Sequence, residues 1–331
     1  MDIHTFLSNL VIQIPDYVPT TKDKKQIEFE GVGKFILSKL NSSEFKATSI
    51  TPDYLSKVID KINLCVNHEV PIHLTVPFGA VKTSSLPTAP GIDWGEVFNI
   101  ALLREYLSPI AKMYKQGVVL TYVSVSVFEQ KMNYYSQSDI DLYDEEFEQL
   151  IKYYQSYLPK NFRLNFARLT DQLTKDKMLQ MIDKKILELD RNWMNNSEEI
   201  RNAKIIRAKR NCCITQNDEG YDKKILQSIF VHDAFCSECW TLDVAPWDKK
   251  NMITLAFRYS DGWAIHVRST RASTVNFWSG MGAIIEKGSK LIPTILSTTQ
   301  YQSLKENTKS EKVDLFGKEF KNLSQIQIIY D

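Results

Sequence analysis

Apolar positions recur with a helical period through the first part of the chain. Ile27, Val32, Phe35, Ile36 and Leu40 fall three to five residues apart, which places them on one helix stripe. Thr51-Pro52 is a helix start, with the hydroxyl as N-cap and proline at the first helical position. Leu55, Val58, Ile59 and Ile62 then supply the apolar face, so residues 1–70 read as helical. From His73 to Phe78 the pattern becomes a short apolar run, the first strand. Trp94 to Tyr114 carries Val97, Ile100, Ala101, Leu103, Tyr106, Leu107 and Ile110, a broad helical face containing Pro109, which is expected to kink it. Gln116-Gly117 ends that helix. Val118 to Phe128 is rich enough in valine to be a central strand. An acidic helix from about Asp141 to Leu158 and a strand around Phe162 to Leu169 follow.

Strand–helix–strand–helix–strand predicts parallel strands joined by right-handed crossovers, with any ligand at their carboxyl ends. Asp171 to Arg210 reads helical, with Leu179, Ile182, Ile186 and Leu189 as its stripe. Ile253–Tyr259 and Trp263–Ser269 read as a β-hairpin turned through Ser260-Asp261-Gly262, and Ile326–Tyr330 as a final edge strand. The expected fold class is α/β: a Rossmann-like, mainly parallel sheet flanked by helices. Residues 1–70 form a helical N-terminal region packed on the core, and 71–195 an α/β core carrying the candidate site. Residues 196–331 form a C-terminal α+β part with the hairpin.

Composition narrows the class. The chain has 331 residues, with 41 basic and 40 acidic side chains and a formal net charge of +1. That balance excludes a surface devoted as a whole to nucleic acid or anionic lipid. No apolar run approaches the roughly 18 residues needed to span a bilayer. The opening stretch MDIHTFLSNLVIQIPDY lacks a basic segment and a small-residue cleavage site, so no signal peptide is expected. Five cysteines suit free thiols in a reducing compartment better than a disulfide framework. The expectation is a cytoplasmic protein without a membrane partner.

The stretch from Val76 to Glu96 concentrates the candidate chemistry. A strand runs into a loop rich in hydroxyls and prolines that holds Lys82, and the loop ends on Asp93 where a long helix begins. Asp93 and Glu96 can be read as a catalytic acid–base pair. They also match the capping box, in which the first residue caps the third amide and the glutamate reaches back. Thr83, Ser84 and Ser85 either hydrogen-bond an anion near the helix start or solvate the loop. Ser124 and Ser126 alternate on a strand and so should share a face, with the intervening valines in the core. Gly31, Gly33 and Lys34 lack the spacing of a phosphate loop.

Other clusters are weaker. Arg201, Lys204, Arg207, Lys209 and Arg210 form a basic run that reads either as an anion site or as a solvated helix face; without interleaved aromatics, nucleic acid is not expected. His232, Cys236 and Cys239, with Cys212 or Cys213, could supply four zinc ligands, but a lone Cys-x-x-Cys is a weak signal and no metal is expected. Trp240, Trp247, Trp263, Trp278, Phe257, Tyr259 and Phe277 read as core or as the wall of an aromatic pocket. Arg258, His266 and Arg268 suggest an anion site, because His266 and Arg268 should share a strand face.

From Pro77 to about Leu169 the order and spacing of residues resemble the isocyanide (isonitrile) synthase family of pyoverdine and dityrosine biosynthesis. Phe78, Lys82 and Ser84 stand in the loop, Asp93 and Glu96 at the helix start, and Ala101-Leu102 and Leu107 along the helix. Tyr114 and Gly117 stand at its end, Ser124 and Phe128 on the strand, and Asp139 and Tyr143 on the next helix. Where the family has Ser-Asp-Gly, this chain reads Ser124-Val125-Ser126, without the carboxylate. The resemblance implies a biosynthetic transferase or lyase of secondary metabolism. It would act on an amino acid's amine, with ribulose 5-phosphate as a sugar-phosphate partner and no cofactor. Lys82 would contact a carbonyl or phosphate, Glu96 and Asp93 would move protons or hold the amine, and Ser84, Ser124 and Ser126 would bind substrate. The missing carboxylate leaves open a binding protein with altered catalysis on the same fold.

Overall fold

The computed structural model describes residues 2–13, 17–79, 81–171, 174–238, 251–257, 263–317 and 319–330. The N-terminal region is helical: α1 (Ile3–Ile12), α2 (Thr21–Glu30), α3 (Val32–Leu40) and α4 (Pro52–Asn67). The stripe from Ile27 to Leu40 is therefore two helices. Gly31 breaks it at φ +87°, a conformation that only glycine adopts without strain. Asp2 and a Thr20–Asp23 capping box start α1 and α2.

The core then runs β1 (Ile72–Phe78), α5 (Trp94–Met113), β2 (Val118–Ser124), α6 (Glu129–Asn133), α7 (Gln137–Gln155) and β3 (Phe162–Arg168). β2 is shorter than its apolar run: it stops at Ser124, and Ser126–Phe128 turn into a short 3-10 helix. The charged helical stretch is interrupted too, giving α8 (Lys175–Arg191) and α9 (Glu198–Asn211), followed by α10 (Tyr221–Glu238).

β4 (Met252–Ala256) and β5 (Ile265–His266) complete a five-stranded parallel sheet of order β3-β2-β1-β4-β5. The expected hairpin is thereby corrected. Leu255 and Ala256 pair with Ile265 and His266 in parallel, and Ser260-Asp261-Gly262, Arg258 and Tyr259 lie outside the described residues. The second segment is captured on its other side by the N-terminal region: Ala47 N donates to His266 O at 2.7 Å and Arg268 N to Phe45 O at 3.2 Å. Such long-range pairing overrides a local turn signal.

The chain from β3 returns to the far side of β1, so the strand order reverses between β1 and β4. In open α/β sheets that reversal opens a crevice at the carboxyl ends of the strands. β1 and β2 are buried nearly throughout, as central parallel strands covered on both faces are. One apolar cluster joins α1, α3, α4, α5 and α7 to this sheet, and a smaller one packs Val125, Val127 and Phe128 against α8 and α10.

The remaining elements are β6 (Gly280–Lys287), β7 (Lys290–Ser297), α11 (Thr298–Leu304), β8 (Thr308–Lys312) and β9 (Gln325–Tyr330). They build a second, four-stranded sheet of order β7-β6-β9-β8. β6 and β7 form the antiparallel hairpin of this region, turned at Gly288. β9 is not an edge strand; it lies between β6 and β8, parallel to the first and antiparallel to the second. Its apolar residues Ile326, Ile328 and Ile329 are buried accordingly. Among the described residues no helix is long and apolar enough to cross a membrane.

Candidate functional site

The Asp93–Glu96 capping box forms as the spacing predicts: Glu96 Oε2 accepts from Asp93 N at 2.8 Å, and Asp93 Oδ1 accepts from Gly95 N at 2.6 Å. It also does more than cap. Lys82 Nζ lies 3.0 Å from both Asp93 Oδ1 and Glu96 Oε1, and donates to Phe277 O and, at 2.7 Å, to Gly280 O. Lys82 and Glu96 are both 0% exposed. Asp93 reaches the second sheet through Gly282 N at 3.1 Å, and its other oxygen accepts from Thr88 at 2.7 Å. The loop, the start of α5 and the start of β6 thus meet at one buried ion cluster. The lysine has three N–H donors and four acceptors around it, so its donors are all engaged within the protein.

Glu96 is the perturbed member. Burial, reinforced by the Asp93 charge and opposed by Lys82, raises its pKa to about 7. One lysine beside two carboxylates is neutral when one carboxyl keeps its proton, so Glu96 stores or releases a proton near neutrality. Tyr143, on the buried stripe of α7, donates to Glu96 Oε1 at 2.7 Å.

The adjacent residue, Asp144, serves the other half of the site. Ser124 Oγ donates to Asp144 Oδ1 at 2.6 Å, and Arg168 Nε to Asp144 Oδ2 at 3.3 Å. The Ser126 hydroxyl also bonds this carboxyl; burial raises the Asp144 pKa, and the bonds from Ser124 and Ser126 oppose the rise. The two serines therefore converge, although by a route other than strand alternation, since Ser126 belongs to the 3-10 turn. A buried carboxylate, Asp144, thus stands against Ser124 at the end of β2. Sequence reasoning missed Asp144, yet it sits with Ile140, Tyr143 and Phe147 at the three- and four-residue spacing of the α7 core stripe.

An aromatic cluster borders both halves. Phe78 is in register with Ser124, and its ring centroid lies 4.7 Å from Phe147, 5.5 Å from Phe277 and 6.3 Å from Tyr143. Phe257 and Trp278 join it, so these aromatics are core. At the end of β1, a Cβ on Gly79 would stand 2.7 Å from Trp278 Nε1 and 3.3 Å from Glu129 Oε1. Glu129, a buried carboxylate at the start of α6, thus lies at the carboxyl edge of the central strands and had no signal in the sequence.

The other candidates lie apart. Ser84 is exposed; its amide donates to Tyr135 Oη at 2.9 Å, and that hydroxyl donates on to Lys82 O. His266 sits on the outer strand, two positions or about 10 Å from β1 at ordinary strand spacing, with Nδ1 3.2 Å from Thr48 Oγ1. Burial lowers its pKa. Arg268 follows it against Phe45. In the zinc candidate, His232 Nδ1 stands 3.2 Å from Asp233 and 3.7 Å from Cys236 Sγ, while Cys239 lies outside the described residues, as do Trp240 and Trp247. No metal-ligand cluster occurs among the described residues. Lys204 and Arg207 of the basic run pair with Asp233 at 2.6 and 3.0 Å, tying α9 to α10.

A parallel sheet whose strand order reverses between β1 and β4, backed by a second mixed sheet, defines an α/β fold. The crystal structure of the PvcA protein from Pseudomonas aeruginosa has this architecture. It superposes with a TM-score of 0.63 at 13% sequence identity, over 90% of this chain and 99% of that one. At that identity the likeness is one of fold. No protein-family model matches the chain, and no curated protein matches it in sequence.

Proposed function

We propose that this chain is a biosynthetic enzyme similar to the isocyanide synthases. It would take a small-molecule substrate, the amine of an amino acid, together with a sugar phosphate of the ribulose 5-phosphate kind. The observation that carries this reading is the buried Glu96, poised near neutrality and linked through neighbouring Tyr143 and Asp144 to Ser124 at the end of a central strand. The fold likeness to PvcA along nearly the full length of both chains supports it. In this reading Glu96 and Asp144 hold or move protons, Ser124 and Ser126 orient Asp144, and Lys82 positions Glu96 rather than attacking a carbonyl.

The test is incubation of the purified chain with each amino acid and ribulose 5-phosphate, with products read by mass spectrometry. A new product with one amino acid, lost in Glu96→Gln, is expected. No product with any amino acid removes the enzyme reading.

A second reading, a small-molecule binding protein with altered catalysis, is favoured by the enclosure of Lys82 Nζ by four acceptors. Thermal stabilisation by an amino acid or sugar phosphate without turnover supports it, and turnover excludes it.

A further inference from the structure

The long helix α5 buries a second cation, and nothing in the proposed reaction uses it. Arg104 lies two turns beyond Glu96, about 12 Å along the helix axis, and is 2% exposed. Its Nη1 donates to Val11 O at 2.7 Å and its Nη2 to Leu10 O at 2.5 Å, the last carbonyls of α1. The guanidinium also lies over the Tyr154 ring, 5.1 Å from its centroid. These partners carry only partial negative charge. Unlike Lys82, Arg104 makes no ion pair with a carboxylate among the described residues, and its Nε has no hydrogen-bond acceptor. A buried guanidinium with an idle donor is costly to keep.

Arg104 lines a cavity of about 620 Å³ between α1, α5 and β7, within the size range of small-molecule sites. Its walls are largely apolar, with Phe6 from α1, Phe98 and Leu102 from α5, and Ile292 from β7, and Arg271 also borders it. Arg271 is already paired with Glu105. Glu105 also lines the cavity and attracts Arg104 without contacting it, so the lining sets two cations against one carboxylate and keeps a net positive charge among mainly apolar walls.

We infer that this cavity is a second ligand site, built for a small amphipathic monocarboxylate whose anionic end pairs with Arg104 and whose apolar body fills the walls. A single negative charge neutralises the guanidinium, and a planar carboxylate can use its remaining N–H donors. A dianion such as a phosphate ester would bury an excess negative charge. The site is separate from the Lys82–Glu96 cluster and does not depend on the reaction proposed there.

Isothermal titration of the full chain with 3-phenylpropionate, and with the uncharged 3-phenylpropionamide, tests the inference. The acid is expected to bind at one saturable site, with the amide at least about tenfold weaker. Arg104→Gln should erase the difference between them. Because that change also removes the bonds to α1, a second variant keeps Arg104 and fills the cavity: Ala101→Phe should weaken the acid about tenfold with an unchanged circular dichroism spectrum. Glu96→Gln should bind the acid as wild type does. Equal affinity for acid and amide, wild-type binding by Ala101→Phe, loss of binding in Glu96→Gln, or no saturable binding would each overturn the assignment.

Discussion

Tyr143 donates to Glu96 at 2.7 Å while its chain neighbour Asp144 accepts from Ser124 at 2.6 Å. One turn of α7 thereby joins the buried ion cluster at the start of α5 to the carboxyl end of β2. Consecutive residues on a helix point about 100° apart, which is why adjacent side chains can serve two different partners.

The Glu96 proton gives the first prediction. Its carboxyl pKa is raised from 4.5 to about 7 in the folded protein. Its contribution to stability is therefore fully present below about pH 4.5 and is lost as pH rises through about 7, where the unfolded chain releases the proton more readily. Glu96→Gln lacks this titration. The stability of the wild type relative to Glu96→Gln should fall between about pH 4.5 and 7, by on the order of 1–3 kcal/mol, in urea titrations at each pH. A pH-independent difference would mean that Glu96 does not change protonation in that range.

Lys82 should behave as a structural cation. Lys82→Met leaves Asp93 and Glu96 buried without their counter-charge, and removing one partner of such a cluster costs about 3–5 kcal/mol. Chemical denaturation should show that loss, and the loss should shrink in Lys82→Met/Glu96→Gln, where one of the two carboxylates is neutral. A stable Lys82→Met with near wild-type unfolding would mean that the amine is not needed to hold the cluster.

Ser124 and Asp144 should be energetically coupled. In a double-mutant cycle of Ser124→Ala and Asp144→Asn, the coupling energy should fall between about 0.5 and 3 kcal/mol, since each bond is buried. Asp144→Asn should cost more than Ser124→Ala, because it also weakens the contacts to Ser126 and Arg168. Additive effects would break the proposed link between the two residues.

Two glycines separate close approach from backbone freedom. A Cβ on Gly282 would lie 2.2 Å from Gly95 N and 2.3 Å from Trp94 C, so Gly282→Ala must push β6 off the start of α5. Gly288 has open space around it and φ +60°, so Gly288→Ala carries only the left-handed penalty of roughly 1–2 kcal/mol. Thermal unfolding should rank Gly282→Ala well below Gly288→Ala. The reverse order would show that β6 yields easily at α5.

The mainly apolar runs His73–Phe78 and Val118–Phe128 already specified two strands, the valine-rich second one central, because strands covered on both faces have little polar side to display; β2 nevertheless stops at Ser124. The Asp93-x-x-Glu96 spacing specified a helix cap, a matter of three residues and local hydrogen bonds. What the sequence could not decide was which distant groups met these elements. Lys82 reads as a loop lysine able to contact a substrate carbonyl or phosphate, and only the return of Phe277 and Gly280 across it makes it a buried ion. Ile265–His266 reads as half of a hairpin, and only its pairing with β4 and the Phe45–Ala47 segment sets its direction. Asp144 reads as one more acidic residue on an acidic helix until β2 places Ser124 over it. Local patterning sets secondary structure because its hydrogen bonds are local. Charge burial and strand direction depend on partners far along the chain, and those are chosen only when the two sheets pack.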